Sequence, residues 1–405
     1  MAAAIERTTR QLMTTPVCSG DEVRVLESAF VDALGEPLGA EHAAAAPGRV
    51  NLIGEHTDYN DGFVFPIAID RHVYAAVRGR GDRRVRVVAA RLGESCEFAL
   101  DAIAPDPHQR WSNYVRGVAL GLIGQGLELR GVDMAIGGNL PIARGLSSSA
   151  ALELATAQAF VVAAGSSIEL RDEAILCRRA ENEFVGVGCG IMDQYICSMG
   201  ERGKAMLLDC RQLTSEMVPV PEGAVFVVCD TGKPRELKRS AYGERQAQCR
   251  AGAAQLGVSS LREATMEQLE RSRRSMDEVV WRRCRHVIAE TARTQEAAAH
   301  LRRGNLDAFG DLMNASHASL RDDYEVSCEE LDAMVEAARG APGCHGARLT
   351  GAGFGGCAVA LVDLDAVEEF RRHTRAGYVA RITEHAPSIY PIQASDGVSV
   401  GPAGC

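Results

Sequence analysis

Residues 48–60 of the chain read Gly-Arg-Val-Asn-Leu-Ile-Gly-Glu-His-Thr-Asp-Tyr-Asn. The apolar run from Val50 to Ile53 predicts a buried segment, and Gly54 introduces a polar turn. That turn collects two carboxylates, an imidazole, a phenol and an amide. Such groups can pair with the hydroxyls of a sugar, each of which needs a partner once it loses water. On residue types alone, a solvated turn with an incidental histidine fits equally well.

A second loop, residues 141–151, reads Pro-Ile-Ala-Arg-Gly-Leu-Ser-Ser-Ser-Ala-Ala. A glycine and three serines stand directly before an apolar helix predicted from about Ser148 to Ala164. The free backbone N–H groups and the dipole at the start of that helix favour a phosphate group. The loop is not a Walker A sequence, because the Gly-Lys-Ser/Thr ending is missing. Ordinary serine capping of the helix is the alternative interpretation.

A third loop, residues 349–357, reads Leu-Thr-Gly-Ala-Gly-Phe-Gly-Gly-Cys. Four glycines between apolar strands allow positive φ and a close approach of the backbone to a ligand. A tight hairpin would have the same composition. A dinucleotide-binding site is set aside, because no acidic residue follows at the required spacing.

The remaining elements are a mixture of helices and strands. Helices are predicted over residues 21–34, 171–185 and 366–376, and most of 242–340 is helical in composition. Strands are predicted at 72–77, 85–89, 132–136, 205–209, 224–230, 347–350 and 357–362. This order predicts an α+β architecture, and a length of 405 residues suggests two domains. We place them at residues 20–215 and 216–405.

Composition excludes several classes of function. The formal net charge of -10 argues against a nucleic acid or an anionic membrane as partner. The N-terminus has no apolar core of signal-peptide length, and no stretch of the chain reaches transmembrane length without a charge. The 13 cysteines include no Cys-x-x-Cys pair, and Cys177, Cys229 and Cys357 lie in apolar runs where burial is expected. A reduced, cytoplasmic protein is the simplest expectation.

The three loops, in this order, resemble the three motifs of the GHMP kinases, and residues 48–60 resemble the signature of the galactokinases among them. Residues 110–115, 190–194 and 319–327 extend the resemblance, which runs from about Ala43 to the C-terminus. It implies a two-domain GHMP kinase fold, with an N-terminal α/β domain and a C-terminal domain on a ferredoxin-like core. The active site would lie in the cleft between them.

The resemblance also implies an activity, the Mg·ATP-dependent phosphorylation of the C1 hydroxyl of galactose. Galactose and ATP would be the partners, Mg²⁺ the metal, and the protein a monomer. Arg49 and Asp193 match the catalytic pair of the family. Asp193 would accept the proton of the sugar hydroxyl, and Arg49 would keep that carboxylate ionised and offset charge on the phosphoryl group. Because the transition state is loose, a weak base suffices.

The same matching implies three further groups of site residues. The galactose-binding positions correspond, together with the catalytic pair, to Glu55, His56, Asp58, Gly190 and Tyr242. The ATP-binding positions correspond to Trp111, Tyr114, Gly145, Ser147, Ser148, Ser149, Gly353 and Gly355. The Mg²⁺ ligands correspond to Ser149 and Glu181, a set that fits the preference of Mg²⁺ for few protein oxygens. For Glu181 alone, a surface carboxylate on a helix is the alternative, and for the aromatic pair a core position.

The chain departs from the family pattern in two places. Ala143 and Arg144 stand in the second loop where small residues, often glycine, are usual, so the loop is expected to be stiffer and Arg144 to lie near phosphate. After Tyr242, Arg245 is followed by Gln246 where relatives often have two basic residues, which weakens a functional role for Arg245.

Two rival functions remain open at the sequence level. An N-acetylgalactosamine kinase would diverge after Asp58-Tyr59, whereas residues 60–62 follow the galactose pattern, and a pocket shaped around a 2-hydroxyl rejects an N-acetyl group. A non-catalytic galactose sensor would lack a Ser-Ala pair in the second loop, which is intact here. Other GHMP kinases would not need the hydroxyl-binding cluster of Glu55, His56 and Asp58.

Overall fold

The computed structural model describes residues 17–234 and 239–403. These residues form thirteen strands: β1 (His42–Asn51), β2 (Phe63–Val64), β3 (Pro66–Gly79), β4 (Arg84–Ala89), β5 (Glu94–Ala99), β6 (Val132–Gly138), β7 (Lys204–Asp209), β8 (Thr214–Pro219), β9 (Ala224–Asp230), β10 (Cys344–Thr350), β11 (Cys357–Asp363), β12 (Ser388–Ile392) and β13 (Ser399–Pro402). Together with the helices described next, these strands confirm the predicted α+β architecture.

The helices of the described residues number eleven: α1 (Gly20–Leu34), α2 (Ser112–Gly124), α3 (Ser148–Ala163), α4 (Leu170–Arg179), α5 (Met192–Met199), α6 (Arg239–Leu256), α7 (Met266–Ser272), α8 (Glu278–Arg302), α9 (Leu306–Asp322), α10 (Glu329–Arg339) and α11 (Val367–Val379). The first of them has clear capping residues at both ends. Ser19 and Glu22 form a capping box before α1, and Gly35 ends that helix in the left-handed region. None of these helices is both long and apolar enough to cross a membrane.

The first sheet has six strands in the order β13-β1-β3-β6-β4-β5. All neighbours in it run antiparallel except β4 and β6, which run parallel. The pairing of β1 with β3 shifts register between Pro47 and Arg49, and this irregularity lies at the start of the first loop. β13, from the end of the chain, pairs with β1, so the two ends of the sequence share one sheet.

The second sheet has four antiparallel strands in the order β10-β11-β9-β12, and α10 and α11 pack on it. A separate core of apolar side chains fills the space between them. A third, small sheet joins β2, β7 and β8. Strand β8 runs across residue 215, the predicted domain boundary, and pairs with β7. The division at that residue stays a prediction.

Helix α3 lies at the centre of the first half of the molecule. It packs on β1 and β3 on one side and on α2, α4 and α5 on the other. Almost every one of its side chains is buried, which explains why its sequence is apolar on all faces. Its N-terminus therefore holds the second loop in a fixed position beside the first.

The predicted helix over 171–185 differs from the observed one in its last turns. The α-helix ends at Arg179, and Ala180–Val185 form a π-helical turn that ends at Gly186 in the left-handed region. Such a turn widens the helix and reorients its side chains, and it is common at functional sites. The burial predicted for Cys177, Cys229 and Cys357 is confirmed.

Candidate active site

The three loops meet at one cleft with a volume of about 550 Å³. Residues of α5 and α6 and of the π-helical turn complete its wall. The predicted site residues that line the cleft are Arg49, Glu55, His56, Asp58, Trp111, Tyr114, Gly145, Ser147, Ser148, Ser149, Glu181, Gly190, Asp193 and Tyr242. Gly353 and Gly355 are not among its lining residues.

Arg49 and Asp193 form an ion pair with two parallel hydrogen bonds. Arg49 Nε donates to Asp193 Oδ1 at 2.7 Å, and Nη2 donates to Oδ2 at 2.8 Å. The third nitrogen, Nη1, donates to the carbonyl of Gly145 at 2.7 Å, so one guanidinium joins the first and second loops. Burial alone would lower the pKa of Arg49, but the Asp193 carboxylate raises it above its ordinary value. The arginine is therefore a fixed positive charge in the cleft.

Ser147 supports the same carboxylate. It occupies the N-cap position of α3, but its side chain caps no backbone N–H. Its hydroxyl instead donates to Asp193 Oδ2 at 2.5 Å. Ser147, Gly145 and Ala143 all have positive φ, of 60°, 83° and 58°. Alternating left-handed residues curve the backbone and direct its N–H groups into a concave surface that suits an anion.

Asp58 and Gly190 lie against each other on another wall of the cleft. A Cβ atom on Gly190 would lie 1.7 Å from Asp58 Oδ2, so no other residue fits at position 190 without moving the carboxylate. Burial and the negative charge of Asp193 raise the pKa of Asp58 to about 6, against a hydrogen bond from the backbone N–H of Tyr59. Asp58 therefore takes up a proton at a higher pH than an exposed aspartate does.

An aromatic cluster surrounds His56. The rings of Tyr324, Tyr242 and Tyr59 lie 4.7, 5.7 and 5.9 Å from the imidazole. His56 Nδ1 is 2.8 Å from the Tyr59 hydroxyl, which is itself 2.8 Å from the Tyr324 hydroxyl. This chain of polar atoms fixes the imidazole plane. A flat aromatic surface with polar edges is a common setting for a sugar ring.

Glu55 is held by four donors. Its Oε1 accepts from the backbone N–H of Gly351 at 2.5 Å and from the Thr350 hydroxyl at 3.3 Å. Its Oε2 accepts from Arg348 Nη1 at 3.2 Å and from the side-chain amide of Asn51. Burial raises the pKa of Glu55, and the Arg348 charge opposes that rise. This carboxylate thus joins the first loop to the third.

Glu181 lies in the π-helical turn, and its side chain faces the cleft. Its Oε2 accepts from Gln194 Nε2 at 2.7 Å and from the Cys189 thiol at 3.2 Å. Ser149, at the start of α3, hydrogen-bonds to the same carboxylate. Gln194 Nε2 also donates to Glu153 at 3.0 Å, so two carboxylates share one amide. The surface alternative for Glu181 is wrong, because the residue is buried.

Trp111 and Tyr114 line the far end of the cleft together with Leu92 and Ile142. The indole N–H of Trp111 donates to Glu94 at 2.6 Å, which fixes the ring plane. Leu92 and Ile142 are 47% and 49% exposed, so this end of the cleft presents apolar surface to solvent. An apolar, partly open mouth of this kind suits a planar heterocycle.

The third loop enters the cleft at Gly351 and Ala352 and then turns away. A Cβ atom on Gly353 would lie 2.1 Å from the carbonyl oxygen of Val326, so this glycine serves close packing outside the cleft. The backbone N–H of Phe354 donates to the same carbonyl at 2.8 Å. Gly353 and Gly355 thus stay predictions as ATP contacts, since the lining residues of the loop precede them.

The two departures from the family pattern have definite positions. Arg144 is not among the lining residues, and its Nη1 lies 3.6 Å from Asp230 Oδ1, so its approach to phosphate stays a prediction. Its carbonyl accepts from the Cys357 thiol at 3.1 Å, which ties the second loop to the third. Arg245 Nε donates to the carbonyl of Tyr324 at 2.8 Å, and the side chain is buried. Arg245 therefore supports the aromatic cluster from outside the cleft.

Sequence reasoning missed four residues that the structure ties to the cleft. Gln194 and Tyr324 lay inside stretches that carry the family resemblance, so their position pointed to the site. Glu153 is a carboxylate in an otherwise apolar helix, and a charged residue predicted to be buried is itself a signal. Arg348 gave no such signal, because its partner in the first loop is 293 residues away along the chain.

Comparison with known proteins matches three segments of the chain to family models. Residues 28–79 match a galactokinase galactose-binding signature. Residues 113–201 match the N-terminal domain of GHMP kinases, and residues 297–380 match their C-terminal domain. The three matches follow the order of the loops that form the cleft.

Curated relatives and solved structures agree with these matches. The chain is 48% identical over 358 residues to the galactokinase of Roseiflexus sp. (strain RS-1), covering 87% of this chain and 91% of that relative. The crystal structure of Lactococcus lactis galactokinase complexed with galactose has a TM-score of 0.88 and 39% identity, and the match covers 93% of this chain and 99% of that one. The crystal structure of Methanococcus jannaschii mevalonate kinase has the same fold, with a TM-score of 0.64 and 19% identity. That match covers 89% of this chain and 100% of the mevalonate kinase chain.

Proposed function

The chain belongs to the galactokinase family of the GHMP kinases, and from this premise we propose that it transfers the γ-phosphoryl group of ATP to the C1 hydroxyl of galactose. Membership of the family makes it a kinase that acts on a sugar hydroxyl with ATP as co-substrate. The observation that carries the proposed chemistry is the Arg49–Asp193 ion pair at the point where the three loops meet. The monomeric state and the cytoplasmic location stay predictions.

In this proposal Asp193 accepts the proton of the C1 hydroxyl. Each carboxylate oxygen has two lone pairs, so Oδ1 can accept a substrate proton beside its bond from Arg49. Arg49 and Ser147 hold the carboxylate in one orientation, and the guanidinium lies directly beside the oxygens that could accept the proton. In a loose transition state little charge develops on the attacking oxygen, so orientation of the hydroxyl matters more than base strength.

Galactose would be held by the polar groups beside that carboxylate. The Lactococcus lactis relative was crystallised with galactose, and this chain shares its fold at 39% identity. Asp58, His56 and Tyr242 present a carboxylate, an imidazole and a phenol to the cleft, and Gly190 leaves the space that Asp58 needs. Together with Glu55 and Arg49 they offer enough partners for the hydroxyls of one hexose.

ATP would bind with its base near Trp111 and Tyr114 and its phosphates along the second loop, where Gly145, Ser147, Ser148 and Ser149 line the cleft. Ser149 and Glu181 would hold Mg²⁺. A carboxylate and a hydroxyl that already share a hydrogen bond at the cleft wall are hard oxygen donors suited to this ion, which keeps most of its water and phosphate ligands. When bound, Mg²⁺ supplies positive charge that neutralises the phosphates.

The proposal is tested by ADP release from the purified protein with Mg·ATP and galactose, glucose, N-acetylgalactosamine or no sugar. We expect turnover with galactose, and Asp193→Asn should lower kcat on the order of 10³-fold, since a positioned base contributes 10²- to 10⁴-fold. Asp209→Asn is the matched control, because Asp209 pairs with Arg262 at 2.9 Å and does not line the cleft. It should keep kcat.

Each other outcome contradicts the proposal in a recognisable way. Turnover with N-acetylgalactosamine in place of galactose would identify a different sugar kinase. Galactose binding in a calorimeter without any ADP release would identify a sugar sensor. Equal losses in Asp193→Asn and Asp209→Asn would show that the first substitution damages the fold rather than the chemistry.

A further inference from the structure

The first loop is closed at its base by two residues of β10. Arg348 Nη1 donates to the carbonyl of Asn51 and to Glu55 Oε2, at 3.2 Å in each case. The Thr350 hydroxyl is 2.9 Å from the same Asn51 carbonyl and 3.3 Å from Glu55 Oε1. Both side chains therefore bridge the start of the turn, at Asn51, and Glu55, the residue that precedes His56.

This bridge is shielded from solvent. The side chains of Arg348 and Glu55 are 0% and 2% exposed. Behind them, Arg348 Nε donates to the Ser316 hydroxyl at 3.1 Å, and that hydroxyl donates to Glu290 at 2.5 Å. Glu290 in turn accepts from the backbone N–H of Gly54 at 3.0 Å. The network thus begins and ends on the first loop.

The backbone of the loop needs such a constraint. Gly54 has φ of 101°, and His56 has φ of 65°, a left-handed conformation that is unfavourable for a residue with a Cβ atom. A conformation of this kind persists only where the surroundings hold it. The Glu55 side chain, between these two residues, supplies part of that support, beside a hydrogen bond from Asn60 Nδ2 to the His56 carbonyl at 2.9 Å and a contact of His286 Nε2 with the Glu55 carbonyl at 3.1 Å.

We propose that Arg348 is a positioning residue for the sugar site, which sets the conformation of residues 54–58 by holding the Glu55 carboxylate from β10. The inference rests on the proposed function, since it deepens the sugar-binding part of it. Arg348 does not line the cleft, so it acts through Glu55 and not on a substrate. Burial raises the pKa of Glu55 and the Arg348 charge opposes this, so loss of the arginine favours a neutral, loosely held side chain.

The test compares Arg348→Met, Arg348→Lys and Thr350→Val with the wild type, using KM and kcat for both substrates. We expect Arg348→Met to raise the KM for galactose about 10- to 100-fold, the range for losing a hydrogen bond to a charged group. The KM for ATP should stay within about threefold, because Trp111, Tyr114 and the serines of the second loop, which are proposed to hold the nucleotide, lie on other elements than Arg348. Arg348→Lys should restore part of the galactose affinity, and Thr350→Val should raise that KM less.

Arg339→Met is the matched control. Arg339 also donates to carbonyls beside β10, of Ala347 and Asn314, but it makes no contact with the first loop. It should lower stability against urea without changing the KM for galactose. If Arg348→Met does not fold, Thr350→Val still tests the inference, because valine has nearly the same shape as threonine.

A double-mutant cycle with Glu55→Gln separates positioning from general stability. If Arg348 acts through Glu55, Arg348→Met should change the galactose KM much less in the Glu55→Gln background than in the wild type. Additive effects, equal losses for galactose and ATP, or a galactose KM unchanged in Thr350→Val and Arg348→Met would overturn the inference. A wild-type protein without galactose turnover would instead overturn the proposed function itself.

Discussion

Two groups of carboxylates lie at the cleft or in the helices behind it, and they are held in different ways. On the side of the first loop, Glu55 pairs with Arg348 and Asp193 pairs with Arg49. On the side of α3, α4 and the π-helical turn, Glu153, Glu173 and Glu181 accept hydrogen bonds from amides, a thiol and a hydroxyl. Among the described residues, none of these three carboxylates makes an ion pair with an arginine or lysine.

The difference teaches that burial alone does not decide the charge of a carboxylate. Burial would raise the pKa of Glu290, but Arg293 and other cations lower it to about 2. Glu173 has no such partner, and burial raises its pKa to about 8. On the sugar side, the Arg348 charge opposes the rise that burial causes in the pKa of Glu55. On the helix side the described residues offer no such partner, and burial raises the pKa of Glu153, Glu173 and Glu181.

The largest expected effect comes from breaking the paired side at Arg49. Arg49→Met should lower kcat on the order of 10³-fold, because it removes both the partner of Asp193 and a positive charge beside the phosphoryl group. Arg49→Lys should lie between this variant and the wild type, since a lysine keeps the charge but not the paired geometry. Steady-state kinetics with saturating galactose and ATP measure both.

The control for this prediction is the double variant that also changes Asp193, the ion-pair partner of Arg49. If the arginine acts through Asp193, Arg49→Met added to Asp193→Asn should cost far less than either change alone. A kcat within tenfold of the wild type in Arg49→Met would contradict the proposed mechanism.

A smaller effect is expected from the helix side where it opens on the cleft. Glu181→Gln should weaken the binding of Mg·ADP about 10- to 100-fold, as loss of an anionic ligand or its support does at metal sites. Glu153→Gln should weaken it less than about threefold, because Glu153 shares the Gln194 amide but does not line the cleft. Calorimetric titration with Mg·ADP measures both variants.

Titration with ADP in the absence of Mg²⁺ is the control for this pair. Both variants should bind free ADP like the wild type. Equal weakening by Glu181→Gln and Glu153→Gln, or a loss for Glu181→Gln that is the same without the metal, would contradict the assignment of Glu181 as the cation-binding member of the group.

The sequence predicted the loops better than their partners. The loops of residues 48–60 and 141–151 carry their chemistry in consecutive residues, so their approach to one cleft followed from the family resemblance. Arg348 could not be found, because its contact with the first loop exists only after strands far apart in sequence have paired. Gly353 shows the opposite limit. A glycine-rich run indicates that the backbone approaches another group closely. It does not indicate whether that group is a ligand or another part of the chain, which here is Val326.

The same limit applies to the ends of elements and to single hydroxyl groups. β13 completes the first sheet by pairing with β1, a contact that could not be predicted from its short sequence. Serine capping was the alternative for the second loop, yet Ser147 stands at the N-cap and donates to Asp193 instead. Local patterns give the position of such a residue, whereas tertiary contacts decide which of its possible bonds it makes.

The smallest effect on catalysis, and the sharpest test of the unpaired side, concerns Glu173. It lies within the helices away from the cleft, where the Gln158 amide donates to it at 2.9 Å. Burial raises its pKa from about 4.5 to about 8, so the folded protein holds a proton that the unfolded chain releases. Its contribution to stability is therefore complete below about pH 4.5 and is lost as the pH rises toward 8.

Glu173→Gln should remove this loss, because glutamine has the same shape and stays neutral. The free energy of unfolding of the wild type should decrease between pH 5 and 8 by at most about 1.4 kcal/mol per pH unit from this group, and the variant should lack that decrease. Urea unfolding across the pH range measures it, with Glu270→Gln on an exposed face of α7 as the control. Identical pH profiles for Glu173→Gln and the wild type would mean that a cation reaches this carboxylate after all, and the contrast between the two sides of the cleft would then be confined to Glu153 and Glu181.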